Sequence, residues 1–520
     1  MTQQEALEII RMGESVFLTG AAGSGKTFAL NSYIRYLREK GVAVAVTAST
    51  GIAATHMSGI TLHSWAGFGI RKTLTSQDVR AILGKRRYRN RFAKTRVLVI
   101  DEVSMLHPYH LDMTNALLQA AREPFKPFGG LQVILCGDFF QLPPVVREGE
   151  PPAQFAYESA AWQALNPTIC YLEEQYRQED TALLRVLNDI RTNTVTEETR
   201  IPLRTRWQRA IQGAISPTRL FCHNADVDLL NRRELEKIKG EPVLYRMTSR
   251  GPTALVALLK QWCLAPEELV LKKDAVVMFV KNNFEEGYSN GTLGRVVDFN
   301  GDDGYPAVET RTGKIIWAEP EEWALEEDGK VRARITQLPL RLAWAITVHK
   351  SQGMTLDAAE IDLSKTFEKG MGYVALSRVR TLSGLKLTGM NELAFWVSDR
   401  ITAADHQFHS KSREIQEWLR ALPQEDKEKR QSGFLISLGV SLSTQRFKDA
   451  KEKNVNNKTY LLDEIRKRHP AAYLPWSEEE EGRLRKAYLA GTPIAEMAQI
   501  HGRKRGGIIA RLRRMGFETA

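Results

Sequence analysis

The stretch Gly20-Ala21-Ala22-Gly23-Ser24-Gly25-Lys26-Thr27 constrains this chain more than any other. It fits the spacing GxxxxGK[ST], and it stands between the apolar run Val16-Phe17-Leu18 and a helix-compatible stretch from Lys26 to Glu39. A strand that turns on glycine into a helix points backbone N–H groups into one concavity, at the positive end of the helix dipole. Such a loop takes phosphate: Gly20, Gly23, Ser24 and Gly25 let the amides close on the oxygens, Lys26 reaches the β and γ phosphates, and Thr27 is placed to ligate Mg²⁺. The bland alternative, a glycine-rich surface turn, does not require these flanks.

Further short apolar runs follow at Val42 to Val46, Val97 to Ile100 and Val133 to Cys136, without polar alternation. Strands buried on both faces of a parallel sheet read this way, so the class is α/β with helices on both faces. The third run ends in Asp101-Glu102, at the sheet edge where open α/β sheets bind ligands. Beside a P-loop, Asp101 suits Mg²⁺ and Glu102 suits polarisation of the attacking water. The fourth ends in Gly137-Asp138-Phe139-Phe140-Gln141-Leu142-Pro143-Pro144. Gln141 is a candidate γ-phosphate sensor, with an ordinary exposed loop glutamine as the alternative.

The chain has 520 residues, which suggests roughly three or four domains. With 43% hydrophobic and 26% charged residues it is composed as a soluble globular protein. Neither a run of 18 apolar residues nor a secretory leader is present, so a cytoplasmic location and no membrane partner are expected. Cys136, Cys170, Cys222 and Cys263 form no CxxC pair and are expected to be reduced, buried thiols. Lys plus Arg is 73 against 62 Asp plus Glu, a net charge of +11 that tilts toward a polyanionic partner.

A second α/β segment is expected to begin near Ile169-Cys170-Tyr171-Leu172 and to include Arg219 to Cys222 and Val276 to Val280. Between about 283 and 340 short strands alternate with Gly, Asp and Glu-rich turns, the texture of a small β insertion. Residues 396 to 470 are charged and poorly periodic, which suggests a helical extension and a linker.

Taken in order, the motifs resemble the petite-integration-frequency (Pif-one) family of superfamily-one class B helicases, with RecD-like enzymes as more distant relatives. The resemblance spans about residues 3 to 390. Beyond the segments above it rests on Val46-Thr47-Ala48-Ser49-Thr50-Gly51-Ile52-Ala53-Ala54, Gly59-Ile60-Thr61-Leu62-His63-Ser64-Trp65-Ala66-Gly67 and Asp101 to Leu106. It continues in Leu111-Asp112 through Pro127-Phe128-Gly129-Gly130, Val348-His349-Lys350-Ser351-Gln352-Gly353-Met354-Thr355, and Tyr373-Val374-Ala375-Leu376-Ser377-Arg378. Gly23-Ser24-Gly25 stands where the family more often has Gly-Thr-Gly.

The resemblance implies two RecA-like P-loop motor domains, an inserted SH3-like β domain and an appended helix-turn-helix. These would occupy 1–165, with a strand-separating wedge at about 66–96; 166–282 plus 341–395; 283–340; and 471–520, after an extension and linker at 396–470. It implies ATP and Mg²⁺ as cofactors, 5′ to 3′ movement on single-stranded DNA, and unwinding of forked or tailed duplexes by a monomeric motor in the bacterial cytosol or nucleoid. Gln3 matches the adenine-reading glutamine, with Gln4 as the register alternative, and Arg177 and Arg378 match two arginine fingers. Thr47, Ser49, Thr50, His63, Ser64, His349, Lys350, Ser351 and Thr355 fall in motifs that face DNA or couple it to ATP. The rival from another class is an ATP-switched DNA-binding regulator that does not unwind.

Two basic segments stand apart. Residues 85 to 96 hold seven Lys or Arg and no acid, with Tyr88 and Phe92 interleaved, which suits DNA at a fork or else a solvated loop. Near the C-terminus, Ser477 with Glu480 forms a capping-box start and Leu484, Ala487 and Tyr488 an apolar stripe, resembling a small helix-turn-helix or Myb-like unit. From His501 to Met515 there are six Lys or Arg and no acid, so the third helix is a candidate DNA-facing element, with protein docking as the alternative.

Overall fold

The computed structural model describes residues 1–440 and 477–517, apart from positions 70, 142, 145–153, 175–179, 214, 222–226, 284, 301–303, 328–329, 349, 352, 504 and 516. The first six strands are β1 (Val16–Gly20), β2 (Val44–Ala48), β3 (Ile60–Thr61), β4 (Val97–Asp101), β5 (Gln132–Cys136) and β6 (Thr168–Leu172). They form one sheet in the order β3-β2-β4-β5-β1-β6, every pair parallel. β1, β4 and β5 are buried along their whole length, as their apolar runs predict. One expectation fails at β6: Ile169 to Leu172 does not open a second sheet but pairs with Phe17 to Gly20 of β1. The chain crosses to the far edge of the first sheet before leaving it, a long-range choice that a local apolar run does not encode.

The chain then forms β7 (Thr218–Phe221) and departs through β8 (Val243–Arg246), β9 (Thr248–Arg250) and β10 (Glu268–Leu271). Next come β11 (Val276–Phe279), β12 (Leu293–Phe299), β13 (Pro306–Thr310), β14 (Ile315–Trp317), β15 (Glu321–Glu327), β16 (Lys330–Gln337) and β17 (Leu340–Leu342). It returns with β18 (Ala345–Thr347), β19 (Ala359–Leu363) and β20 (Leu385–Met390). A second parallel sheet has the order β18-β7-β19-β20. The intervening strands include a five-stranded antiparallel sheet, β14-β13-β12-β11-β17.

Antiparallel pairing therefore begins well before residue 283, and Val276 to Phe279 belongs to it rather than to the second parallel sheet. The physical reason is that β11 is buried on both faces. Val277 and Phe279 pack in the insert's own core with Val296, Val308 and Leu340, while Val276 and Met278 join the main core. A strand covered on both sides reads the same in sequence whichever sheet it enters.

The helical extension expected after residue 396 carries helices over the described residues 396–440, and the stretch 441–470 expected as a linker lies outside the described residues. Helices Asp399–Ala421 and Gln424–Ser437 fold onto the first sheet's side of the molecule. Phe408 packs edge-on against Phe17, Ser412 Oγ accepts from the Tyr171 amide at 3.0 Å, and Leu419 is buried in the core beneath β1. Phe434 lies over Gly13.

The described residues from 477 to 517 belong to a separate compact unit. Helices Glu478–Leu489, Ile494–Ile500 and Arg505–Arg514 enclose Leu484, Met497, Ile508 and Leu512. Ser477 Oγ accepts from the Glu480 amide at 3.2 Å, so the expected N-cap forms. No helix among the described residues is long and apolar enough to cross a membrane.

Gly13 has φ +97°, and a Cβ there would lie 2.5 Å from Phe434 Cδ2, whereas Gly41 has φ +73° and nothing within 4 Å. Gly13→Ala should cost about 1–3 kcal/mol through backbone strain plus overpacking, and Gly41→Ala only the strain part. Thermal melts of the two variants check this: the Gly13 variant melts at the lower temperature.

Candidate active site

The P-loop follows β1 directly and the helix Lys26–Glu39 begins at its end. Gly20 has φ +142° and its Cβ would lie 2.5 Å from the Leu172 carbonyl, so no side chain fits there. Gly23 and Gly25 also have positive φ, 91° and 82°. Lys26 Nζ donates to the carbonyls of Gly20 and Ala21 at 2.8 and 3.0 Å, which holds the ammonium inside the loop. Burial lowers its pKa, opposed by Asp138, Cys136 and Glu102. Ser24 Oγ is buried without a partner, Thr27 is exposed at the helix start, and Gln3 Nε2 donates to the Ser24 carbonyl at 3.3 Å. Gln4 is exposed, so Gln3 is the glutamine at the loop.

β4 delivers Asp101 and Glu102 to the same edge. Asp101 is buried, accepts from the Glu102 amide at 2.9 Å, and has its pKa raised by burial against hydrogen bonds from Cys136 and Glu102. Cys136 is thus a thiol that supports the carboxylate, and burial pushes its own pKa well up. Cys136, Cys170 and Cys263 are free thiols, as expected, while Cys222 lies outside the described residues. Glu102 sits at φ 52°, ψ 45°, a left-handed conformation that is costly for a non-glycine residue and turns its side chain off the strand line. Burial and then the neighbouring Asp101 raise its pKa to about 7.

The second parallel sheet supplies the opposite wall. Arg378 follows helix Met371–Leu376, is 1% exposed, and donates from Nη2 to Gln141 Oε1 at 3.2 Å and from Nε to the Val374 carbonyl at 3.1 Å. Gln141 is therefore not a loop glutamine in solvent; it is buried and meets an arginine from the other lobe. Arg177 lies outside the described residues. Sequence reasoning missed a second buried arginine here, Arg191, which ion-pairs with Asp138 at 2.9 Å. Its signal was available: Arg191 shares a helix face with Leu183, Leu187 and Ile190, the apolar face of Thr181–Arg191.

Glycine-rich loop, carboxylate pair, neutral amide and cross-cleft arginine meet between two parallel sheets, an arrangement that can bind and hydrolyse a nucleotide. The model of the PIF1-like helicase family matches residues 2–193. The chain is 40% identical to the ATP-dependent DNA helicase Pif1 of Psychrobacter sp., over 99% of this chain and 87% of that protein. The chain belongs to the Pif1 helicase family. Among solved structures, Bacteroides sp. Pif1 in complex with ADP-AlF4 superposes with TM-score 0.66 at 30% identity, covering 79% of this chain and 96% of that one. Bacteroides Pif1 in complex with ADP-AlF3 and ssDNA gives TM-score 0.52 at 30% identity, covering 78% and 96%. The protein is an ATP-hydrolysing DNA helicase.

Within this Pif1 fold, the residues expected at DNA divide into two groups. Thr47 and Ser351 are fully buried; Thr47 Oγ1 donates to the Val99 carbonyl at 2.7 Å and Ser351 Oγ to the Val348 carbonyl at 2.8 Å. Both hydroxyls are spent on backbone carbonyls and pin the backbone of their motifs. Ser49, Thr50, His63, Ser64, Lys350 and Thr355 are half-buried, and His349 lies outside the described residues. The Ser49 amide donates to the Asp101 carbonyl at 3.1 Å, and Thr50 caps the helix Gly51–His56. His63 Nε2 lies 2.9 Å from His110 Nε2. Burial lowers both pKa values, to about 3 for His110 with His63 and His107 adding to it, so the pair is a neutral donor and acceptor.

The basic run 85–96 is also corrected. It forms the helix Arg86–Lys94, whose buried face carries Arg91 and Phe92. Arg91 Nη1 donates to the Ser64 and Trp65 carbonyls at 3.2 and 2.5 Å, and Phe92 packs on Trp65. Tyr88 lies over Gly67. The aromatic rings thus serve packing, while Lys85, Arg86, Arg87, Arg89, Lys94 and Arg96 stay exposed. In the C-terminal unit Arg503 is bound through both Glu480 oxygens at 2.7 and 2.8 Å and Arg511 pairs with Glu481. Two of the six cations counted there are therefore neutralised within the unit.

Arg91→Ala should strip two carbonyls of their donor and cost about 1–3 kcal/mol. Arg89→Ala, on the exposed face, should leave thermal stability within about 0.5 kcal/mol. Melting both variants separates the structural cation from its surface neighbour.

Proposed function

We propose that the chain moves 5′ to 3′ along single-stranded DNA and opens duplex ahead of it, driven by Mg²⁺-dependent ATP hydrolysis. The observation that carries this reading is the direct contact of Gln141 and Arg378 across the cleft, beside Lys26, Asp101 and Glu102. ATP entering the P-loop offers one γ-phosphate to both lobes, and hydrolysis removes that shared ligand. Lys26 neutralises the β and γ phosphates, Glu102 takes a proton from the attacking water, and Arg378 with Arg177 balances charge on the transferring phosphoryl group. Gln141 orients that water or senses the phosphate, and Gln3, already bonded to the P-loop, is placed to read the base.

One hydroxyl, from Thr27, and one carboxylate, from Asp101, are a donor set that fits Mg²⁺, which takes one or two protein oxygens and fills its shell with phosphate and water. Thr27 and Asp101 would hold it, and when bound it neutralises phosphate charge. The antiparallel insert is read as the SH3-like domain, and the helices around 76–94 as the wedge with an exposed basic face. Ser49, Thr50, His63, Ser64, His349, Lys350 and Thr355 line the strand's path, with backbone contacts dominating so that binding weakens steeply with salt. The three C-terminal helices are read as an added helix-turn-helix for DNA. The monomer is taken as the motor unit.

Unwinding of 5′-tailed against 3′-tailed duplexes tests activity and polarity together: strand release from the 5′-tailed substrate alone is expected. ATP turnover that ignores single-stranded DNA would instead favour a nucleotide-switched regulator. Arg378→Ala should keep nucleotide binding and lose about 10³-fold in turnover, while Glu102→Gln should abolish turnover with DNA binding intact. Chelation of Mg²⁺ should stop hydrolysis in the unmodified protein.

A further inference from the structure

Arg191 makes more contacts at the cleft than the charge pair with Asp138 alone. Its guanidinium donates to Asp138 Oδ1 and Oδ2 at 2.9 and 3.0 Å, to the Tyr373 hydroxyl at 3.0 Å, to the Tyr171 hydroxyl at 2.6 Å and to Asp405 Oδ1 at 3.3 Å. The Phe140 ring lies 4.0 Å below its centre. The Tyr373 hydroxyl donates to Asp138 Oδ2 at 3.3 Å and accepts from the Ala22 amide of the P-loop, also at 3.3 Å. The Tyr171 hydroxyl donates to Asp405 Oδ1 at 3.0 Å. One buried cation thus joins the end of β5, the edge strand β6, the helix Met371–Leu376 of the second lobe and the helix Asp399–Ala421.

Two features of this hub concern the reaction. Asp138 stands three residues before Gln141, and Tyr373 stands five residues before Arg378, so Arg191 fixes the backbone that presents each member of the cross-cleft contact. The Ala22 N–H belongs to the loop whose amides close on phosphate, yet here it is given to Tyr373. A phosphate oxygen is a charged and stronger acceptor than a phenol, so it competes for such an amide. Burial raises the Tyr373 pKa to about 12, so the hydroxyl keeps its proton and remains both donor and acceptor at neutral pH.

We propose that Arg191 is a positioning residue for ATP hydrolysis, holding Asp138 and Tyr373 so that phosphate arriving at the P-loop is registered in the second lobe through the Ala22–Tyr373 hydrogen bond. The inference rests on the roles proposed above for Gln141 and Arg378. It makes the hub a relay: the loop exchanges one acceptor for another, and the freed hydroxyl settles on Arg191 and Asp138, which set the approach of Gln141 and Arg378. Asp405 brings the helix Asp399–Ala421 into the same network.

The test is steady-state ATPase of the full-length protein with saturating single-stranded DNA. Tyr373→Phe deletes one oxygen and keeps the ring, so the fold is retained. Its kcat should fall roughly ten- to a hundredfold while the KM for ATP stays within about threefold and the nucleotide-free melting temperature stays near that of the unmodified protein. Arg191→Lys, which keeps the charge and loses the fork, should show the same split. Arg191→Gln combined with Asp138→Asn removes the fully buried pair together, leaving only the partly exposed Asp405 without its cation, and should remain slow. An unaltered kcat in Tyr373→Phe, or recovery of full turnover in the charge-free pair, overturns the proposal. If Arg378→Ala is itself without effect, the parent reading of the cleft has failed; if Arg378→Ala is slow and Tyr373→Phe is not, this inference alone has failed.

Discussion

The cleft of this protein is organised by charges that cannot be buried singly. Lys26, Arg191 and Arg378 meet Asp101, Glu102 and Asp138 between two parallel sheets, three cations against three carboxylates, each with most of its surface removed from water. Removing any one leaves an uncompensated charge in a poorly polarisable setting, which is far more costly than loss of a surface pair. That constraint dictates the rest. The strands must end at one edge for the carboxylates to converge, the P-loop must fold Lys26 inward, and the second lobe must present its arginines to the first. Adding a nucleotide changes the balance by several negative charges, so the cations have reason to draw closer when it binds and to relax when phosphate leaves.

The other parts brace this arrangement. The helices Asp399–Ala421 and Gln424–Ser437 pack against the first lobe through Phe408, Leu419 and Phe434, and place Asp405 beside Arg191. The insert reaches the first lobe as well: its helix Thr253–Trp262 packs on Gly51–His56, and a Cβ at Gly51 would lie 1.8 Å from Trp262 Cδ1. Only glycine permits that approach. The helix capped by Thr50, whose preceding amide binds the Asp101 carbonyl, is thus held between the carboxylate strand and the insert.

What could be read from sequence follows how local each signal is. The P-loop and Asp101-Glu102 were legible because strand, turn and helix are consecutive and their chemistry is tied to spacing. β6 and β11 were not assigned to their sheets, because pairing with β1 or with β12 and β17 is a long-range outcome and a doubly covered strand looks alike in either setting. Thr47 and Ser351 sit in the right motifs but spend their hydroxyls on backbone carbonyls, which no motif distinguishes from contact with a strand. Arg91 and Arg191 were read as part of a surface run or passed over, since charge suggests solvent; their positions on the buried helix faces pointed inward all along. The net charge of +11 remains a fair pointer to a polyanion, but Arg91, Arg503 and Arg511 are held within the protein, so counting cations overstates the surface available to DNA.

The proposed mechanism makes the γ-phosphate the ligand shared by the two lobes. It is tested most directly by the distance between them, read as energy transfer between dyes at Glu39→Cys on the first lobe and Arg204→Cys on the second, both exposed. With single-stranded DNA present, ADP with aluminium fluoride should give a shorter distance than ADP alone, and Arg378→Ala should abolish the difference. Equal distances in the two nucleotide states, or a difference that survives Arg378→Ala undiminished, would contradict the account.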